Sequence, residues 1–248
     1  MKTVIALSVC LVLTGCHTIS PTMIQKPEKY QAAFDYTPPT EARSPHSADV
    51  TFTIANPTYK TRNSLMWFAS EQFAKLHGTL KQDLQKILVT RGFGIRGPYS
   101  SRDLIPYQDK KEIDLYLVPT LDLYANVKVL KQEWNSVWVS NPTLILTGNV
   151  VVGGNLKIEL KEIVTDELVW VKIIPIKDSS FPYTGYKRWQ KGSKTGTIYN
   201  QTSIYNEMAK NLEQQYPEMM GTLNKLIDPE EMKILESQAM ELKKKRGY

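Results

Sequence analysis

Val50, Phe52 and Ile54 alternate with Thr51 and Thr53, the period of a short half-buried strand over 49–55 that Asn56-Pro57 closes. From Ser64 to Arg91 the period changes. Leu65, Phe68, Phe73, Leu76, Leu80, Leu84, Ile87 and Leu88 fall three or four apart, which predicts one long helix ending at a left-handed Gly92 cap. A short strand over 93–96 and a polar loop through Lys111 follow. Ile113, Leu115, Leu117, Leu121, Leu123, Ala125, Val127 and Val129 then share one parity, predicting a long antiparallel strand. Leu144, Leu146, Val150, Val152, Leu156, Ile158 and Leu160 share another. That parity runs unbroken through Gly153-Gly154. A two-residue hairpin there would scramble the faces, so a single strand bent at the glycines is preferred, with the Gly-Gly turn as the alternative. Thr165-Asp166-Glu167 predicts a tight turn into a strand over 168–176.

Ile204, Met208, Leu212, Met219, Met220, Leu223 and Ile227 restore a helical period, with Pro217 expected to kink or split the helix. A second helix starts at Asp228-Pro229-Glu230-Glu231, an N-cap oxygen followed by proline at the first helical position and acids against the dipole. It ends in Lys243-Lys244-Lys245-Arg246. Its apolar stripe, Met232, Leu235, Ala239 and Leu242, is narrow, so this arm is expected to lie partly free. The expected fold is α+β, an antiparallel sheet of long bent strands packed against a long helix, with a C-terminal helical hairpin.

The N-terminus adds an address. Thr3 to Gly15 is an apolar run behind Lys2, too short to span a bilayer and suited to a signal-peptide core. It closes in Leu13-Thr14-Gly15-Cys16, which resembles the bacterial lipobox, whose cysteine is acylated and becomes the new N-terminus. The alternative is an ordinary signal peptide that happens to hold a cysteine. Cleavage removes Cys10 and leaves Cys16 as the lone cysteine, so no internal disulfide is possible and acylation would block the thiol. His17 stands where an inner-membrane retention signal would place Asp, and by analogy the expected location is the outer membrane. The expected organisation is a lipoprotein signal peptide over 1–15, a lipid-anchored proline-rich tether over 16–48, an α+β domain over 49–202 and the helical hairpin over 203–248. Folded structure is expected from about Asp49, with Phe34 and Tyr36 able to dock on it.

The 248 residues are 42% hydrophobic and 23% charged, enough to bury a core. The formal charge of +6 falls to +5 once Lys2 is removed. Export makes nucleic acid an unsuitable partner, and the basic balance points to anionic lipid, lipopolysaccharide or acidic glycans. Catalytic signals are weak. The histidines are His17, His46 and His77, two of them in the tether, and no phosphate-binding glycine loop, nucleophile elbow or metal-ligand spacing occurs. The expectation is no enzyme, no cofactor and no metal, although scattered carboxylates could still converge.

The stretch 178–202 has no sustained period but concentrates Tyr183, Tyr186, Lys187, Arg188, Trp189 and Lys191 among glycines. A long loop of this kind is functional or disordered. Arg188-Trp189 would offer a bidentate cation and an aromatic platform to a sialylated sugar. The alternative is a loop whose aromatics tuck back on the sheet.

The chain also resembles the Helicobacter neuraminyllactose-binding hemagglutinin (adhesin A) lipoproteins. The resemblance is carried by the lipobox, by Lys81, Leu84, Gln85, Ile87, Leu88 and Gly92, by Lys110-Lys111-Glu112, by Gly148 and Gly154 through Leu160, and by Ala239, Glu241-Leu242-Lys243 and Lys245-Arg246. It implies an α+β outer-membrane lipoprotein associated with adhesion and sialylated glycans. The family's proposed sialic-acid motif, Lys-Arg-Thr-Ile-Gln-Lys, has its nearest counterpart in Lys128-Val129-Leu130-Lys131-Gln132-Glu133, which lacks the arginine and ends in an acid. Lys128 and Lys131 thereby join the candidate ligand residues. Two functions stand open: a surface adhesin for sialylated glycans or a host-surface ligand, and a structural envelope lipoprotein of flagellar-sheath type that docks a protein partner through its C-terminal helices.

Overall fold

A computed structural model describes residues 28–40, 49–61, 66–134, 143–188 and 201–247. Three strands dominate: β4 (Leu115–Trp134), β5 (Thr143–Lys161) and β6 (Leu168–Arg188) form an antiparallel ribbon. Short strands β1 (Thr51–Ile54) and β2 (Thr58–Thr61) pair parallel with successive stretches of β4, and β3 (Gly94–Ile95) pairs with β1. The helices are α1 (Leu76–Thr90), α2 (Tyr107–Glu112), α3 (Gln201–Leu226) and α4 (Pro229–Lys245). The fold is α+β.

The parity read along β4 and β5 survives pairing. Leu117 faces Leu160, Leu121 faces Leu156 and Ala125 faces Val152, while Leu156 in turn faces Ile174 of β6. These residues are buried with Leu80, Leu84 and Leu88 of α1 and Met208, Leu212 and Tyr216 of α3 in one core. Gly153-Gly154 lies inside β5, as the parity required, and each glycine answers a close approach. A Cβ on Gly153 would fall on the Asp178 carboxylate, which accepts a hydrogen bond from the Tyr124 hydroxyl across the top of β5. On Gly154 it would fall on the backbone oxygen of Asp122.

Several elements differ from expectation, each for a local reason. The helix expected from Ser64 begins at Leu76. Two 3-10 turns, Trp67–Ala69 and Glu71–Phe73, precede it, separated by Ser70 in an extended conformation. Helical spacing buries Trp67 and Phe73 here without continuous helix, because the Trp67 indole donates to the Lys60 carbonyl. The aperiodic stretch from Asp178 is strand as far as Arg188. The pairing shifts between Val152–Ser179 and Gly154–Ile176, so a bulge moves the buried parity from even to odd and hides the strand period. Pro217 does not split α3, whose turn there is held by buried Tyr216, Met219 and Met220.

Part of the segment assigned to the tether belongs to the core. Ala32, Phe34 and Tyr36 are 2%, 6% and 9% exposed, and Phe34 packs on Phe73 and Tyr216. Glu213 accepts hydrogen bonds from the Tyr30 hydroxyl and the Ala33 amide. The α4 stripe is likewise occupied. Met232 and Ala239 are fully buried, Leu235 nearly so, and the Trp170 indole donates to Glu231 at 2.8 Å. Instead of running back along α3, α4 crosses the end of the sheet, where the Lys243 ammonium donates to the Ile113 carbonyl at 2.7 Å.

These contacts define two poles. At the turn pole lie the start of β4, the β5–β6 turn and the C-terminus of α4. Glu162, fully buried, accepts from the Val164 and Thr165 amides and holds that turn, with Asp166 at positive φ. At the opposite pole Trp134, Thr143 and Arg188 end the ribbon. Strands of 19 to 21 residues separate the poles, about 60 Å at ~3.3 Å per residue.

Candidate functional site

The ribbon pairing distributes the sequence-predicted ligand residues over two faces. Lys128 lies on the rung of Asn149 and Pro182, Lys131 on that of Thr147 and Thr184, and Tyr186 on that of Ile145 and Glu133. These three share the face turned away from the helices. Tyr183 and Lys187 alternate to the other face. Tyr183 is 3% exposed with its ring packed over Gly185, so it serves the core and presents no surface to a sugar. Lys131 is ion-paired with Glu133. Arg188 ends β6 opposite Thr143, while Trp189 and Lys191 lie outside the described residues, as do Cys16 and the rest of the lipobox. Of the expected platform, Lys128, Lys131 and Tyr186 share one face, spread over several rungs, and Tyr183 and Lys187 lie on the other.

A different constellation forms at the turn pole. Asp228 caps α4 by accepting from the Glu230 and Glu231 amides at 3.0 and 3.1 Å, and proline at N1 sets its direction. Counting along the helix from that cap brings Met240, Lys243 and Lys244 over the start of β4. There they close a cleft of about 290 Å³ with Tyr107 and Lys111 of α2, Asp114 and Val164. Lys243 is a strut. Its ammonium holds the Ile113 carbonyl, approaches the Lys110 carbonyl at 3.5 Å and stands 3.9 Å from the buried Glu162 carboxylate.

Lys111 and Lys244 remain exposed at the rim, and the Lys111 ammonium sits 4.7 Å from the Tyr107 ring centroid, a cation–π distance. Asp114 is half-buried and accepts from the Thr51 amide at 2.8 Å. Burial raises its carboxyl pKa above the ordinary range and nearby Glu236 adds to the rise, against the Thr51 amide, Lys243 and Lys233. With Lys243 committed to the Ile113 carbonyl and facing Glu162, the exposed ammonium groups of Lys111 and Lys244 are what the cleft offers to an acid. The Tyr107 ring, Val164 and Met240 supply apolar surface beside them, the mixture a small polar ligand needs.

Lys110-Lys111 and the Lys243–Arg246 tail are each visible in the sequence, far apart and with no spacing that joins them. The signal that could have done so is the helix phase from Asp228, but only tertiary packing places α4 against α2. Elsewhere, a ring nitrogen of His77 lies 2.9 Å from the Phe68 carbonyl and the ring stands edge-on to Tyr59, a structural role. Among the described residues no group of His, Cys, Asp and Glu is arranged to hold a metal ion, and no helix is long and apolar enough to cross a membrane.

No family model and no curated protein matches the chain. Among solved structures, a neuraminyllactose-binding hemagglutinin homolog from Helicobacter pylori aligns over 85% of this chain and 99% of its own, with TM-score 0.55 and 16% identity. A Xanthomonas campestris protein aligns over 79% of this chain and 91% of its own at TM-score 0.33 and 11% identity. A Neisseria meningitidis lipoprotein aligns over 67% and 96% at 0.24 and 9%. At these identities it is the fold that the chain shares with the Helicobacter pylori protein.

Proposed function

We propose that the protein is an outer-membrane lipoprotein, acylated at Cys16, that binds an acidic ligand in the cleft of Tyr107, Lys111, Asp114, Met240, Lys243 and Lys244. The observation that carries this reading is the position of that cleft. Residue 28 docks beside the N-terminal end of α3, where the Asn206 amide donates to the Glu28 carbonyl at 2.7 Å, whereas the cleft lies at the other end of the strands. An anchored chain would therefore hold its basic cleft away from the membrane, where a surface ligand meets it.

The ligand class follows from the lining and from the fold neighbour. A sialylated glycan carries a carboxylate for Lys111 and Lys244 and an apolar ring face for Tyr107 and Met240. This supports the adhesin reading over one in which a partner docks on the C-terminal helices, since the α4 stripe such a partner would grip is spent on the sheet. Binding of the mature chain to immobilised sialylated glycans and to their desialylated counterparts tests the proposal. Lys111→Ala with Lys244→Ala should lower binding to the sialylated set about tenfold or more with unchanged melting. Equal binding by wild type and double variant overturns the site.

A further inference from the structure

The ribbon tip carries a second surface. Val129, Leu130 and Trp134 of β4 are 38%, 63% and 52% exposed, an unusual load of large apolar side chains for one strand end. Lys187 stands on the rung of Trp134, and Lys128 and Lys131 flank Val129 and Leu130 along β4 on the opposite face, with Glu133, ion-paired to Lys131, as the intervening acid among the described side chains. The helical layer stops short of this end. Gln215 of α3 bonds the backbone of Lys177, and Glu231 of α4 bonds Trp170, so α3 runs antiparallel to β6. From Gln215 back to Asn206 is about 14 Å at ~1.5 Å per residue, level with residue 181 or so of β6. The helix itself runs on to Gln201, level with residue 183 or so, and the ribbon continues for about 15 Å beyond it, about 20 Å beyond the level of Asn206.

Residue 28 enters the fold at this same level, because Asn206 bonds both the Glu28 carbonyl and the Tyr30 amide. The chain then follows α3 toward the turn pole, with Tyr36 reaching Lys86 and Gly221. Cys16 precedes Glu28 by 12 residues, a span of at most about 40 Å. A lipid on Cys16 thus puts the bilayer within reach of the ribbon tip. The turn pole lies about 40 Å from the same level in the opposite direction, twice as far as the tip.

We infer that the ribbon tip is a membrane contact: Leu130 and Trp134 enter the interfacial region of an anionic bilayer while Lys128, Lys131 and Lys187 meet its headgroups. Indole at the interface and lysine at the headgroup level are the groups that bilayers favour there. One acyl anchor with a basic, apolar second contact fixes orientation as well as attachment. The inference rests on the anchoring proposed above for its biological setting, but its test does not require acylation.

The full mature chain with Cys16→Ser is mixed with vesicles of about three parts phosphatidylcholine to one part phosphatidylglycerol and with vesicles of phosphatidylcholine alone, and flotation is measured. Wild-type tip residues should give co-flotation with the anionic vesicles, weaker with the neutral ones. Leu130→Glu and Trp134→Ala should each reduce it about tenfold, while Ile234→Glu, at an exposed site on α4, should not. Melting curves report whether each variant is folded. Failure of the folded chain to float, or flotation unaffected by the tip variants, overturns the inference. So does sedimentation showing a dimer that Leu130→Glu dissociates, which would make a second copy the occupant of the tip. Release of Cys16→Ala protein from cell membranes is a separate readout that bears on the anchor alone.

Discussion

Replacing Gly154 by alanine is expected to cost far more than the same change at Gly153, although the two are neighbours on one strand. The methyl at position 154 lands on the backbone oxygen of Asp122 and against the Leu123 side chain on the core face. The backbone oxygen cannot yield without separating β4 from β5, and overpacking of this kind costs about 2 kcal/mol. In a protein of this size that lowers Tm by about 4–8 °C. At position 153 the methyl displaces the Asp178 carboxylate and breaks its hydrogen bond from Tyr124, a loss of about 0.5–1.5 kcal/mol. Restricting the unfolded chain recovers about 0.5–1 kcal/mol, so Gly153→Ala should lie near zero. Urea unfolding of both variants, with Asp178→Ala added to Gly153→Ala, checks the reasoning. Once Asp178 is truncated, the alanine at 153 should be neutral or stabilising. Equal costs at the two glycines, or a neutral Gly154→Ala, would refute the register of the central strand.

Tyr216→Phe should destabilise by about 1.5–3 kcal/mol in urea titrations, because its hydroxyl donates at 2.9 Å to Asp83, fully buried and otherwise held by Lys86 at 2.7 Å. Asp114→Asn keeps an acceptor for the Thr51 amide and removes a carboxyl whose folded pKa is raised, chiefly by burial. The folded state holds that proton more tightly than the unfolded one, near ~3.9, so wild-type stability falls as pH rises from the unfolded to the folded value. The variant should therefore melt higher at neutral pH, with the gain vanishing below the ordinary carboxylate range. Truncation after Asp228 should lower Tm by about 10 °C or more, since it removes buried Met232, Leu235 and Ala239; an unchanged melt would show α4 to be an appendage.

The long strands were legible because both glycines keep the side-chain parity intact, and the start of α4 was legible because Asp228-Pro229 is a purely local signal. What escaped was set by tertiary contacts. Ala32, Phe34 and Tyr36 alternate like a strand, yet they pack on α3 and Phe73 without joining the sheet, so prolines around them read as a tether. The bulge beside Asp178 reverses parity and made a strand look like a loop, which turned the buried Tyr183 into a candidate ligand residue. The stripe of α4 looked thin because its docking draws also on polar reach, the Lys243 ammonium on Ile113 and the Trp170 indole on Glu231. The cleft it closes joins residues more than 100 positions apart, from Tyr107 to Lys244, which no spacing along the chain reveals.

The central claim is that an acidic ligand enters this cleft, and the methyl resonance of Met240 reports on it without any mutation. Titrating the methyl-labelled mature chain with sialyllactose should shift the Met240 signal progressively while leaving Met66, exposed elsewhere on the molecule, unmoved, and lactose should shift neither. A Met240 signal that stays fixed at saturating sialyllactose, or that moves equally with lactose, would contradict the account.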